Sequence, residues 1–149
     1  MRFAALLAAV LLPAPLVWAH GMNDRAPDAQ ELADLQAKVA TASPNEQPYI
    51  YAELVHSMTE IATEQFQAGN DQQASVSLRA AQGYAGKIHM NLLRDAKRLK
   101  KAEILIRHTA FRLKELMTGA SLNDRPALEE TIRELNQVQQ EMITQIFRH

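Results

Sequence analysis

The chain has 149 residues, 16 Lys and Arg against 17 Asp and Glu, and no cysteine. That length suits one modest domain, and a composition 47% hydrophobic and 22% charged excludes wholesale disorder. The near-zero net charge argues against an overall positive field for coating nucleic acid. The absence of cysteine removes disulfides, thiolate metal sites, c-type haem attachment and cysteine nucleophiles together.

Residues 1–19, MRFAALLAAVLLPAPLVWA, have the pattern of a secretory signal peptide. Arg2 supplies the positive start, Phe3 to Leu12 form the apolar run, and Val17 and Ala19 fit a cleavage site after Ala19. The apolar run is far short of the roughly 20 residues that span a bilayer. The expectation is a periplasmic or secreted protein with no transmembrane segment after cleavage. Residues 20–149 would then carry 15 basic and 17 acidic groups, a net charge of −2.

Residues 20–44 read as an N-terminal arm followed by a short helix. Leu32, Leu35 and Val39 have helical spacing, and Asp28 with Glu31 forms a capping arrangement. Residues 45–149 read as the helical bundle domain. Ser43-Pro44-Asn45-Glu46 resembles a second capping box, but Pro48 is tolerated only in a first turn, so the next helix is placed near Asn45. Ile50, Leu54, Val55, Met58, Ile61, Ala62 and Phe66 form its apolar face. Gly69 ends it, and Asn70 or Asp71 caps the next.

No proline interrupts residues 49–125, and an apolar stripe runs through Ala85, Ile88, Leu92, Ala96, Leu99, Ile106, Ala110, Leu113 and Met117. The pattern predicts one very long helix, about 71–118, ending at Gly119. Gly83 and Gly86 inside it mark a kink or a close helix contact. After a turn at 121–126 capped by Asn123 or Asp124, a last helix presents Leu128, Ile132, Leu135, Val138, Met142 and Ile146. The expected fold is all-α, an antiparallel bundle of about four helices. The long stripe also allows a homodimer through an intermolecular coiled coil.

The hairpin from Val55 to Ala85 resembles a single tetratricopeptide-type unit. Ile61-Ala62 stand at that family's large-small pair, Gly69 at its inter-helix glycine, and Ala74, Leu78 and Ala81 at its second-helix packing positions. Gln65 stands where the family has an aromatic, and Gly86 where it has a closing proline. The resemblance implies binding of protein or peptide partners.

Charge is unevenly placed. Residues 87–114 carry nine basic groups against Asp95 and Glu103, a local +7, while the rest of 20–149 carries −9. Lys87, Arg94, Lys101 and His108 recur every seven residues, and Arg98 and Arg112 lie near the same face. These six form the expected interaction surface for a protein partner or an anionic envelope component. Acidic residues on neighbouring helices, among them Glu53, Glu60 and Glu64, could instead neutralise the basic helix internally. Export and the lack of interleaved aromatics argue against nucleic acid.

No catalytic constellation, phosphate loop or dinucleotide fingerprint is present, so neither an enzyme nor a cofactor is expected. Glu53 and His56 make one E-x-x-H pair, but a di-iron site of the ferritin type needs two. Metal binding has one sharper candidate. Cleavage after Ala19 would leave His20 at the N-terminus, where its amine and imidazole chelate Cu(II). His56-Ser57-Met58 and His89-Met90 add borderline and soft donors. The leading reading is an exported helical interaction or scaffold module; the alternative is a periplasmic copper-binding or copper-sensing protein.

Overall fold

A computed structural model describes residues 23–90 and 96–148. The described residues form five helices and no strand: α1 (Ala29–Thr41), α2 (Gln47–Gln67), α3 (Asp71–Met90), α4 (Ala96–Thr118) and α5 (Arg125–Ile146). The fold is all-α. Residues 1–22, including the expected leader and His20, lie outside the described residues, as do residues 91–95.

Local chemistry sets the helix ends. Asp28 caps α1 through the amide of Glu31, whose side chain returns to the Asp28 amide. The Ser43–Glu46 pair forms a turn ahead of α2 instead of its cap. The Ser43 amide and hydroxyl both donate to Glu46 Oε2, and the helix starts at Gln47 with Pro48 in its first turn. Gly69, at φ +78°, takes the left-handed position after α2. There the Asn70 amide donates to the Gln65 carbonyl and the Gly69 amide to that of Phe66, the paired bonds of a Schellman ending.

The helices pack as two hairpins side by side. α2 contacts α3 and α4, and α5 contacts α4 and α3, while α1 lies outside against α2. The apolar stripes meet in one core that includes Val55 and Ala62 from α2, Leu78 and Ile88 from α3, Ile106 and Leu113 from α4, and Leu135 and Met142 from α5. Burying each such leucine contributes about 2 kcal/mol. α1 contributes no fully buried residue.

The expected very long helix is not what the chain forms. Along α2, contacts with α4 advance together, Glu46 to Arg98, His56 to Thr109 and Glu60 to Arg112. These two helices are therefore parallel. Contacts with α3 run oppositely, Gln65 to Ser77 and Tyr51 to Tyr84. Tyr84 and Thr109 thus touch α2 less than two turns apart, whereas one straight helix would separate them by about 37 Å. α3 and α4 run in opposite directions, and residues 91–95 join them. The stripe of α4 is spent inside the chain, with Leu99, Ile106, Ala110 and Leu113 all buried. Gly83 and Gly86 make no close contact, since a Cβ at either would meet nothing within 4 Å.

Candidate functional site

The parallel seam between α2 and α4 carries a polar cluster in an otherwise apolar interface. On α2, His56 and Glu60 stand one turn apart on the face turned to α4, 7% and 2% exposed. On α4, Thr109, His108 and Arg112 occupy the matching turns. Residues 23–24 of the N-terminal arm cross the seam and close it from outside.

Glu60 is held by two parallel bonds from Arg112, Nε to Oε1 at 3.0 Å and a terminal nitrogen to Oε2 at 3.1 Å. This fork geometry suits arginine and a carboxylate, and the pairing raises Arg112 above its ordinary value. Asp24 Oδ1 lies 2.7 Å from His108 Nε2 and 3.4 Å from His56 Nε2, while Oδ2 lies 3.9 Å from Arg112. Partial burial works to raise the Asp24 carboxyl. The hydrogen bond and charge of His108, then Arg112 and His56, outweigh it and hold the group below its usual range.

His56 is fixed at both ring nitrogens. Nδ1 lies 3.0 Å from Thr109 Oγ1, and Nε2 lies 3.1 Å from the Asn23 carbonyl. The Thr109 hydroxyl, also 2.8 Å from the Leu105 carbonyl, can donate to Nδ1 or accept from it, whereas the Asn23 carbonyl can only accept from Nε2. Burial opposes charging the ring and lowers the His56 pKa, against the raising effects of Asn23, Glu60 and Asp24. The His56 and His108 rings lie 5.7 Å apart. One ligand atom each from Asp24, His56 and Glu60 all fall within 4.8 Å of one another.

Beside this cluster a cleft of about 490 Å³ is lined by Arg25, Glu31, Tyr49, Glu53, His56 and Ser57. Glu53 Oε2 is buried there without a hydrogen-bond partner. Burial raises the Glu53 carboxyl above its ordinary value, with Lys38 opposing. The E-x-x-H pair therefore borders one cleft, but the carboxylate drawn into the cluster with His56 is Glu60.

A second cleft, about 430 Å³, opens where α1 lies against α2 beside the start of α4. Lys38, Arg98 and Lys101 line it with Tyr49 and Glu46. Arg98 pairs with Glu46 at 3.5 Å.

The expected basic surface is divided by the fold. Arg98 and Lys101 line this second cleft, whereas His108 and Arg112 turn into the α2 seam. Lys87 lies on α3, which runs opposite to α4, and Arg94 lies outside the described residues. A seven-residue recurrence makes one stripe only on one continuous helix, and here the helix is two. Of the proposed metal donors, Met58 packs partly buried against the core, while His20 and the side chains of His89 and Met90 lie outside the described residues.

Sequence reasoning missed Asp24, Glu60 and Thr109 as members of one cluster. A signal existed for part of it. His56-x-x-x-Glu60 and His108-x-x-x-Arg112 place two polar pairs at equal helical spacing, each on one face of its helix. Nothing in the aperiodic arm singles out Asp24. The chain matches no family model, no curated protein and no solved structure.

Proposed function

We propose that this protein is an exported helical interaction module that takes an acidic segment of a partner protein in the cleft between α1 and the start of α4. The observation that carries this reading is the convergence of Lys38, Arg98 and Lys101 from two helices around Tyr49. Among the residues that line the cleft, three are basic and Glu46 is the acidic one. An aromatic ring beside them adds apolar contact area at low conformational cost. Arg98 and Lys101 belong to the segment of strongest positive charge, and opposite charge steers encounter. The tetratricopeptide-like hairpin of residues 55–85 is in keeping with a partner-binding role, and the signal-peptide pattern of residues 1–19 with an envelope location.

Double charge reversal, Arg98→Glu with Lys101→Glu, tests the reading. Binding of a fluorescent glutamate-rich peptide is measured by anisotropy at low and high salt. The parent is expected to bind with affinity that falls as salt rises, and the variant to lose it, since contacts between exposed charges are screened. Undiminished binding by the variant overturns the assignment. Preferential binding of anionic vesicles or acidic glycans over the peptide would also overturn the choice of a protein partner.

A further inference from the structure

We infer that the junction of the N-terminal arm with α2 and α4 is a site for one divalent transition-metal ion, ligated by the Asp24 carboxylate, the His56 imidazole and the Glu60 carboxylate, with His108 and Arg112 as outer partners that hold the two carboxylates. This inference is independent of the cleft proposed above.

The spacing comes first. Metal bonds from imidazole and carboxylate run to about 2.0–2.2 Å, so neighbouring ligands of a tetrahedral ion stand roughly 3.3–3.6 Å apart. Asp24 and His56 already present donors 3.4 Å apart, and with Glu60 all three fall within 4.8 Å of one another, so side-chain shifts on the order of an ångström bring them onto one ion. His56 and Glu60 are one turn apart on a single rigid helix, which fixes two of the three.

The surroundings of each donor are those of a ligand. A metal-bound histidine donates its second ring nitrogen to a fixed acceptor, and Thr109 Oγ1 supplies that acceptor 3.0 Å from Nδ1. In that tautomer the other nitrogen, Nε2, is left with a lone pair for an ion, beside the Asn23 carbonyl at 3.1 Å and Asp24 Oδ1 at 3.4 Å. His108 orients the Asp24 carboxylate at 2.7 Å. Arg112 orients Glu60, and each carboxylate oxygen keeps a second lone pair for an ion. Two carboxylates against one guanidinium leave the cluster negative when both imidazoles are neutral, so a divalent ion improves the local charge balance.

The donor set also selects the ion. One nitrogen and two oxygens, with no sulfur, suit zinc, cobalt, manganese or ferrous iron better than cuprous copper. The arm carries the exposed ligand, so the ion reaches the two buried donors from the solvent side and then pins the arm to the bundle.

The test uses the purified full chain freed of metal by a chelator, with Co(II) and Zn(II) as probes. The parent is expected to bind one equivalent of Co(II) with visible ligand-field bands, and its thermal midpoint is expected to rise with added Zn(II), because an ion that binds only the folded state stabilises it. Asp24→Asn, on the exposed arm, and Glu60→Gln, which keeps a bond to Arg112, should each weaken binding by more than about tenfold. His108→Gln should weaken it about tenfold, as loss of an outer partner does. His20→Ala should leave it unchanged. Lack of saturable one-to-one binding overturns the site, as does parental affinity in Asp24→Asn. Loss of binding in His20→Ala alone would assign the ion to His20 instead.

Discussion

Glu53 illustrates how a single residue can be set against its surroundings. Its Oε2 is buried without a partner and burial holds its carboxyl above the ordinary value of 4.5. A group whose folded pKa is raised contributes stability that is intact below the unfolded value and is lost as pH rises through the folded value. Glu53→Gln removes the ionisation and keeps the shape. It is expected to raise the thermal midpoint at pH 7 and to match the parent below about pH 4. A thermal series across that range checks the sign, and equal midpoints at pH 7 would contradict it.

Among the elements, the glycines separate by conformation. Gly83 and Gly86 lie within α3 with open space where a Cβ would stand. Each costs the helix backbone entropy without relieving a contact, so Gly83→Ala is expected to stabilise the fold by about 0.5–1 kcal/mol in denaturant unfolding. Gly69 is the opposite case. Its φ of +78° belongs to the Schellman ending of α2, and Gly69→Ala is expected to cost about 1 kcal/mol. The close helix contact that the sequence suggested at Gly83 and Gly86 has no counterpart in the packing.

The element scale also shows one helix start used twice. Ser43-Pro44-Asn45-Glu46-Gln47-Pro48 precedes α2, and Ser121-Leu122-Asn123-Asp124-Arg125-Pro126 precedes α5. In both, the serine carbonyl accepts from the amides three and four residues on, and the serine hydroxyl meets the acidic side chain. The proline falls in the first helical turn both times, where its missing N–H costs nothing. Such a motif is local, and it was accordingly readable as a turn and helix start.

At the scale of the molecule, the seam between α2 and α4 joins the two hairpins through charge as well as packing. Removing Arg112 would leave the buried Glu60 side chain without its partner, and breaking such a pair costs about 3 kcal/mol or more. Arg112→Ala is expected to lose that much in urea unfolding. Arg112→Ala combined with Glu60→Gln should recover part of it, because the uncompensated charge is gone. A double variant no more stable than Arg112→Ala would show that the loss comes from packing of the arginine stem.

The periodic stripes, the capping residues at Asp28 and the glycine at 69 were sufficient in sequence to establish an all-α chain and most of its core positions, because these signals act over four or five residues. Leu99, Ile106, Ala110 and Leu113 were recognisable as buried for that reason. A stripe records which face of a helix is covered but not what covers it or whether the chain reverses. Asn91-Leu92-Leu93-Arg94-Asp95 contains neither proline nor glycine to announce the change of direction between α3 and α4. Only the tertiary structure divided the basic run between a cleft and an interhelical seam. It alone brought Asp24 from an aperiodic arm onto His56, Glu60 and His108, since contacts between residues 32 to 84 positions apart leave no local trace.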